Sequence, residues 1–255
     1  MKNYNEILQK LISNKKKYYI KVKSRKKVNY ENDYFQKVKD PDGKIRILAK
    51  ERSKKILDFK HINKFFKTEN MISKNLKILD VGCAFGWFLS ILPRRWKKFG
   101  LDVSAYALSY AKKYAKVYKA DFTKFTDKEF DIITMIHVIE HLDKPEIFIK
   151  KARSLLKKNG LLIIETPDFD SAMARKYGVK FRLFHDPTHI SLFSYESLTR
   201  LIRDSKFKIV KVDFPYFDTK YFNKKELGKL FRKHSKKNFS PPFYGSVMTF
   251  YCKKI

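Results

Sequence analysis

The segment Lys77-Ile78-Leu79-Asp80-Val81-Gly82-Cys83-Ala84-Phe85-Gly86 constrains the chain more than any other stretch. A short apolar run that ends on a carboxylate and then glycine reads as a buried strand that stops and turns sharply. The pattern then repeats. Phe99 to Val103, Val117 to Ala120, Phe130 to Ile136 and Leu161 to Glu165 read as further strands. Phe130 to Ile136 has the apolar density of a central parallel strand. Trp87 to Leu92, stopped by Pro93, and Ala105 to Ala115, capped by Ser104, read as helices between them. Asp143 with Glu146 predicts an acidic capping box. The helix it opens should run to Lys158 and close on Gly160 in the left-handed C′ position. Strands alternating with helices imply an α/β fold, a Rossmann-like, mostly parallel sheet with right-handed crossovers and helices on both faces.

The flanks depart from this alternation. Ser194 caps a helix with Leu198, Leu201 and Ile202 on its apolar side, and Phe207 to Val212 and Val247 to Cys252 read as strands. In the long link between those strands, Phe222 to His234 reads as helical and Ser240-Pro241-Pro242 as its end. Upstream, Ile56, Leu57, Phe59, Ile62, Phe65 and Phe66 predict a helix over Glu51 to Phe66, lying across the start of the main domain. The expected organisation is a basic arm and turn region over residues 1–50 and one domain over 51–255. Lid insertions over the substrate side are expected at about 166–193 and 214–244.

Charge bears on partners. Lys and Arg number 58 against 26 Asp and Glu, a formal +32, which would attract any polyanion. The excess is mostly Lys and runs the whole length, the signature of a compositional bias rather than a patch built to read nucleic acid. Nucleic acid is therefore an alternative partner and not the favoured one. Two cysteines, Cys83 and Cys252, supply neither a metal cluster nor a disulfide framework, so no metal is expected. No apolar run reaches membrane-spanning length and the N-terminus lacks a signal-peptide core, so a reducing, cytoplasmic setting is the expectation.

The chemistry starts at the turn after the first strand. Gly82, Ala84 and Gly86 form a glycine-type loop opening a helix, which would present backbone N–H groups to a nucleotide-like ligand. Asp102, at the end of the second strand, can hold a ribose through its hydroxyls. Trp87 stands where a dinucleotide loop needs its third glycine, and its indole would crowd a pyrophosphate. Asp80 would repel a pyrophosphate but can interact favourably with a cationic ligand.

These residues resemble a family. Ile78 to Gly86 looks like motif I of the class I S-adenosylmethionine-dependent methyltransferases, and Gly100-Leu101-Asp102-Val103-Ser104 like their ribose-binding motif. Lys119-Ala120-Asp121-Phe122 falls where they place the acidic residue at the adenine. Phe130 to Leu142 is close to the fourth-strand motif of the ubiquinone-type and sugar-type branch, and Lys158 to Ile164 resembles the motif along strand five. The resemblance implies a seven-stranded sheet with a reversed last strand between the fifth and sixth. It implies S-adenosyl-L-methionine as cofactor, near Asp80, Gly82, Cys83, Ala84 and Gly86, with Asp102 and Val103 at the ribose. Asp121 and Phe122 would frame the adenine and Ile136 would close over the cofactor. Arg46 or Arg52 is a candidate partner for the methionine carboxylate. Where the family usually has glycine this chain has Ala84, so the backbone there must tolerate a methyl group at small cost.

The reaction so implied is methyl transfer to a small-molecule, saccharide or lipid-linked acceptor, at oxygen. The alternative is an RNA methyltransferase of 2′-O or N7 type; Ile136-His137-Val138-Ile139 lacks the Pro-Pro-aromatic grip for a flipped base amine. A hydroxyl acceptor needs a base. His137, at the lip of the cofactor site, is one candidate, and it reads equally as a hydrogen-bonded packing residue. His185 and His189 are the others, on a post-strand-five loop where Asp186 could orient an imidazole or simply shape a turn.

Overall fold

Strand β4 (Lys77–Val81) lies inside a seven-stranded sheet of order β10-β11-β8-β7-β4-β5-β6 in the computed structural model, which describes residues 6, 18–22, 31, 38–39, 45–46, 59–178, 181–186, 188–216 and 245–255. Its neighbours β5 (Lys97–Asp102) and β7 (Phe130–Ile136) run parallel to it, as do β6 (Lys116–Lys119) beside β5 and β8 (Leu156–Pro167) beside β7. The far edge is antiparallel. Strand β11 (Val247–Lys254) inserts between β8 and β10 (Phe207–Asp213) and opposes both. The expected reversed last strand is therefore present, between its two predicted neighbours.

Residue alternation in the central strands builds two core layers. Leu79, Ile133, Met135, Leu162, Ile164 and Phe250 face one layer; Ile78, Ile132, Ile163 and Tyr251 face the other. All of these are fully buried, each apolar side chain contributing roughly 1.5–3 kcal/mol by leaving water. Helix α1 (Lys60–Thr68) covers the second layer through Ile62, Phe65 and Phe66, with Phe65 stacked on Tyr251 at 4.0 Å between centroids. The short helices α2 (Trp87–Ile91) and α3 (Ala105–Ala111) link β4 to β5 and β5 to β6. Helix α4 (Pro145–Leu155) joins β7 to β8 over the first layer through Ile149, Ala152 and Leu155. Helices α5 (Ala172–Tyr177) and α6 (Tyr195–Asp204) follow β8. Ser194 caps α6 in a full capping box with Ser197, and Leu198, Leu201 and Ile202 turn inward as their spacing requires.

Several boundaries differ from the sequence reading. The 143–158 helix starts at Pro145 with Lys144 at its N-cap and no side-chain cap bond, because Asp143 is engaged elsewhere, pairing with Lys21. It stops at Leu155, and the chain runs straight into β8; Asn159, with φ 62°, and not Gly160, adopts the left-handed conformation. The helix of 105–115 ends at Ala111. The helix over 51–66 is described only from Lys60, and the Phe222–His234 segment lies outside the described residues.

Parts of the first fifty residues are knitted into the domain. Strand β1 (Ile20–Lys21) pairs with β9 (Ser191–Leu192), Tyr18 donates to Asp204 at 2.7 Å and Tyr19 to Glu146 at 3.1 Å. Separately, β2 (Val38–Lys39) pairs antiparallel with β3 (Ile45–Arg46).

One contact fixes the approach of β5 to the loop after β4. A Cβ added at Gly100 would sit 2.7 Å from the Cys83 sulfur and 3.2 Å from a Leu89 methyl. Gly100→Ala should therefore lower unfolding free energy by about 1–3 kcal/mol, the scale of overpacking. Chemical denaturation should show that loss, and Cys83→Ala in the same chain should recover part of it; additive losses would rule the contact out.

Candidate active site at the carboxyl ends of the central strands

The loop after β4 carries the strongest motif, and its conformation explains its sequence. Gly82 and Gly86 both have φ of 73°, in the left-handed region that glycine enters without a Cβ penalty. Val138 packs directly onto Gly82: a Cβ there would meet a Val138 methyl at 2.6 Å. Ala84 has φ 44°, so the family's glycine is replaced by alanine in a left-handed position. The cost is on the order of 1 kcal/mol, larger than the small cost expected.

The loop's N–H groups point inward. Gly82 and Cys83 both donate to the Leu101 carbonyl, at 2.7 and 3.1 Å, and Gly86 donates to Cys83 at 2.8 Å. Ala84 donates to the Asp102 carboxylate at 2.9 Å. This corrects the expectation that these groups would cradle a ligand. A loop with these donors already spent suits a cation or a neutral nucleoside far better than a phosphate. The Cys83 side chain is buried against Gly100, and burial raises its thiol well above the ordinary range, so it is a packing group and not a nucleophile.

Two buried carboxylates flank the loop. Asp80 accepts a hydrogen bond from Thr134 at 2.6 Å. Burial, only partly offset by that bond and reinforced by the Asp102 charge, raises its carboxyl to about 7. Asp102 accepts from Ala84 on one oxygen and from Ser104 on the other, both at 2.9 Å. Burial raises its carboxyl, against those backbone bonds. A carboxylate offers about four lone-pair sites, so capacity remains for two hydroxyl donors. Beside it Val103 is 56% exposed, an apolar surface next to the ribose-type carboxylate.

At the next strand end, Asp121 is exposed and caps a short turn by accepting from Thr123 at 2.8 Å. The Phe122 ring, expected to frame the adenine, is buried in the core against Phe148, 5.4 Å between centroids. Arg46 lies in β3, and Arg52 falls outside the described residues. Glu31, from the arm read as merely basic, accepts from Tyr106 at 3.2 Å and pairs with Lys119 at 3.1 Å, close to Asp102.

The histidines separate clearly. Ile136 is half-buried at the end of β7, and His137 follows with φ 54° and a side chain 47% exposed. Its Nδ1 lies 3.1 Å from Glu140 Oε1 and its Nε2 3.5 Å from Glu165 Oε1. Burial pushes the Glu140 carboxyl up, but the His137 bond and the charges of His141, His137 and His189 outweigh it and bring the carboxyl down to about 2. His189, a predicted catalytic candidate, is buried, and its Nδ1 donates to the Leu183 carbonyl at 2.8 Å. Burial and the His141 charge hold its imidazole below the ordinary value. Its ring packs against His141 and Phe169, 5.0 and 5.9 Å between centroids. Asp186 accepts from Thr188 N–H and hydroxyl at 2.9 and 2.6 Å and shapes the turn. His185 ends the preceding turn (Arg182–His185). Ligand atoms of Glu140, His141 and His189 lie within 4.8 Å of one another, close enough to hold an ion.

A mostly parallel sheet with one reversed strand between two others, and a cation-compatible loop flanked by two buried carboxylates, define the S-adenosylmethionine-dependent class I methyltransferase architecture. The chain belongs to the methyltransferase domain family, whose model matches residues 30–212. It is 33% identical over 139 residues to a ubiquinone biosynthesis O-methyltransferase of Pelagibacter ubique, covering 50% of this chain and 58% of that one. It is 30% identical over 153 residues to an uncharacterised Methanocaldococcus jannaschii protein, covering 59% and 62%. The chain thus spans about three fifths of the length of these curated relatives. A methyltransferase structure from Archaeoglobus fulgidus superposes with TM-score 0.56 at 20% identity over 81% of this chain and 98% of that one. The magnesium protoporphyrin IX methyltransferase of Synechocystis superposes with TM-score 0.58 at 12% identity over 84% and 90%.

The raised Asp80 carboxyl should make S-adenosylmethionine binding pH-dependent. A carboxyl raised to about 7 favours the unliganded fold below its ordinary value of 3.8, and that contribution is lost as pH climbs through 7. A cationic ligand favours the ionised form, so S-adenosylmethionine should bind up to about tenfold tighter at pH 8 than at pH 6. Calorimetry should show this, with a flatter profile in Asp80→Asn; a wild-type affinity independent of pH would exclude Asp80 as the cation's partner. Asp102→Ala should weaken binding by at least about tenfold, since the site and the loop lose the same carboxylate.

Proposed function

We propose that the chain transfers the methyl group of S-adenosylmethionine to an oxygen of a small-molecule acceptor, with His137 as the base. One observation carries this reading: an imidazole 47% exposed at the end of β7, backed by buried Glu140, directly precedes the valine that packs onto Gly82 of the donor loop. Bound S-adenosylmethionine would supply a methyl group on a cationic sulfur. Asp80 would face its positive charge, Asp102 its ribose hydroxyls, Val103 and Asp121 its base.

The chain's own contribution is proximity and proton handling. Glu140 accepts from His137 Nδ1 and fixes the ring orientation; Nε2 would take the acceptor's hydroxyl proton as the C–O bond forms and the C–S bond breaks, and the imidazolium so formed would lie beside Glu165, 3.5 Å from Nε2. The similarity to ubiquinone biosynthesis O-methyltransferases supports an oxygen acceptor of small size. The dispersed Lys excess does not favour RNA.

Radiolabelled cofactor, a panel of simple phenols and catechols, and bulk tRNA provide the test. Label should pass to a phenolic acceptor and not to tRNA; transfer to tRNA alone would overturn the reading. His137→Ala should lower kcat by about 10²–10⁴, the range of general-base catalysis, with cofactor affinity within about twofold. Unchanged turnover in that variant would remove His137 from the mechanism.

A further inference from the structure

Behind His137 lies a buried polar chain that the transfer step does not itself use. Glu165, 3% exposed near the end of β8, accepts from the Thr249 hydroxyl of β11 at 2.6 Å. The same oxygen lies 2.7 Å from His61 Nε2 on α1, and His61 Nε2 is 3.0 Å from the Thr249 hydroxyl. The other oxygen lies 3.5 Å from His137 Nε2, and the Glu165 carbonyl accepts the His137 backbone N–H at 2.8 Å. Glu165 thus engages His137 through both main chain and side chain.

We propose that Glu165 is a positioning residue for His137, anchored by His61 and Thr249, so that the seating of α1 sets the ring that meets the acceptor. The proposal rests on the reading of His137 as the base. Elsewhere α1 meets the sheet through apolar Ile62, Phe65 and Phe66. Replacing a buried polar pair by apolar packing is often neutral or stabilising, so a polar set inserted at this point calls for a role beyond holding the helix. Its place supplies that role: Glu165 stands opposite Ile136 in register, one residue before His137. His137 is held at φ 54°, a left-handed conformation that persists in a non-glycine residue only where the surroundings over-determine it.

The charged neighbours of Glu165 are His61 from α1, His137 from the end of β7 and Tyr251 from β11, whose phenol its charge helps to raise. Burial raises the Glu165 carboxyl, but the charge and bond of His61 and the charge of His137 hold it below the ordinary value. The carboxylate is therefore ionised between two imidazoles that belong to different elements.

The test uses the full chain labelled with [¹⁵N]histidine and loaded with S-adenosylhomocysteine. Glu165→Gln keeps the shape and the ability to accept from Thr249, so the fold should hold. The ring signals of both His61 and His137 should shift in this variant, and His61→Gln should shift those of His137 as well. Movement of the His61 signals alone in Glu165→Gln would overturn the proposal. With a phenol that the wild type methylates, Glu165→Gln should lower kcat by about tenfold or more, the scale of lost orienting partners, with cofactor affinity within about twofold. Should the ring signals move together while His137→Ala keeps full turnover, the base reading fails and the positional coupling stands. Should His137→Ala abolish turnover while Glu165→Gln leaves kcat and the His137 signals unchanged, the positioning role fails alone.

Discussion

The hydrogen bonds that turn the donor loop inward are the interaction on which the rest of the site depends. Leu101 accepts from Gly82 and Cys83, and Asp102 accepts from Ala84 and Ser104. These bonds lock β4, its loop and the start of α3 to the end of β5. They also use up donors that a phosphate would need, so the loop defines by exclusion the charge of the ligand it can take. A left-handed Ala84 is tolerated because Asp102 holds its N–H. The same carboxylate that would meet a ribose is therefore part of the scaffold.

Burial then sorts the acidic groups by partner. Asp80 has one hydroxyl and a like charge nearby, and its carboxyl rises to about 7. Glu140 and Glu165 are equally buried but face imidazoles, and both are held down. Desolvation is common to all three; the neighbouring charge decides the sign. A carboxyl that resists ionisation is poised for an incoming cation, while carboxylates already ionised are suited to orient rings. The two kinds of buried carboxyl thus lie a few side chains apart, at or just beyond the ends of neighbouring strands.

The segment after β8 is held by parts distant in sequence. Strand β1 brings Ile20 and Lys21 onto Leu192 and Ser191, and Ile190 donates its N–H to the Glu140 carbonyl at 2.8 Å. His189 and His141 stand 5.0 Å apart between ring centroids, so the turn that carries Asp186 is packed onto the end of β7. The basic arm supplies acid as well: Glu31 reaches the start of α3. What looks in one dimension like a solvated Lys-rich stretch contributes, through a few residues, to both β9 and the start of α3.

Local sequence determined the elements and the donor loop, because strand periodicity, Gly82, Gly86 and the Ser104 and Ser194 caps act through near neighbours in the chain. The place of the reversed strand came from the family resemblance, into which Val247 to Cys252 fits as a strand. Local sequence placed Asp80, Asp102 and His137 at strand ends but could not assign their surroundings. Only the tertiary structure decided that Phe122 and Cys83 face the core, that His189 bonds the Leu183 carbonyl and packs on His141, and that the loop N–H groups are spent. His61, Glu165 and Thr249 left no local signal, since they lie far apart in the chain and meet only when α1, β8 and β11 pack. The physical reason is the same throughout: propensity and capping are short-range, whereas burial, partner charge and ring orientation are set by contacts between elements that the chain brings together only on folding.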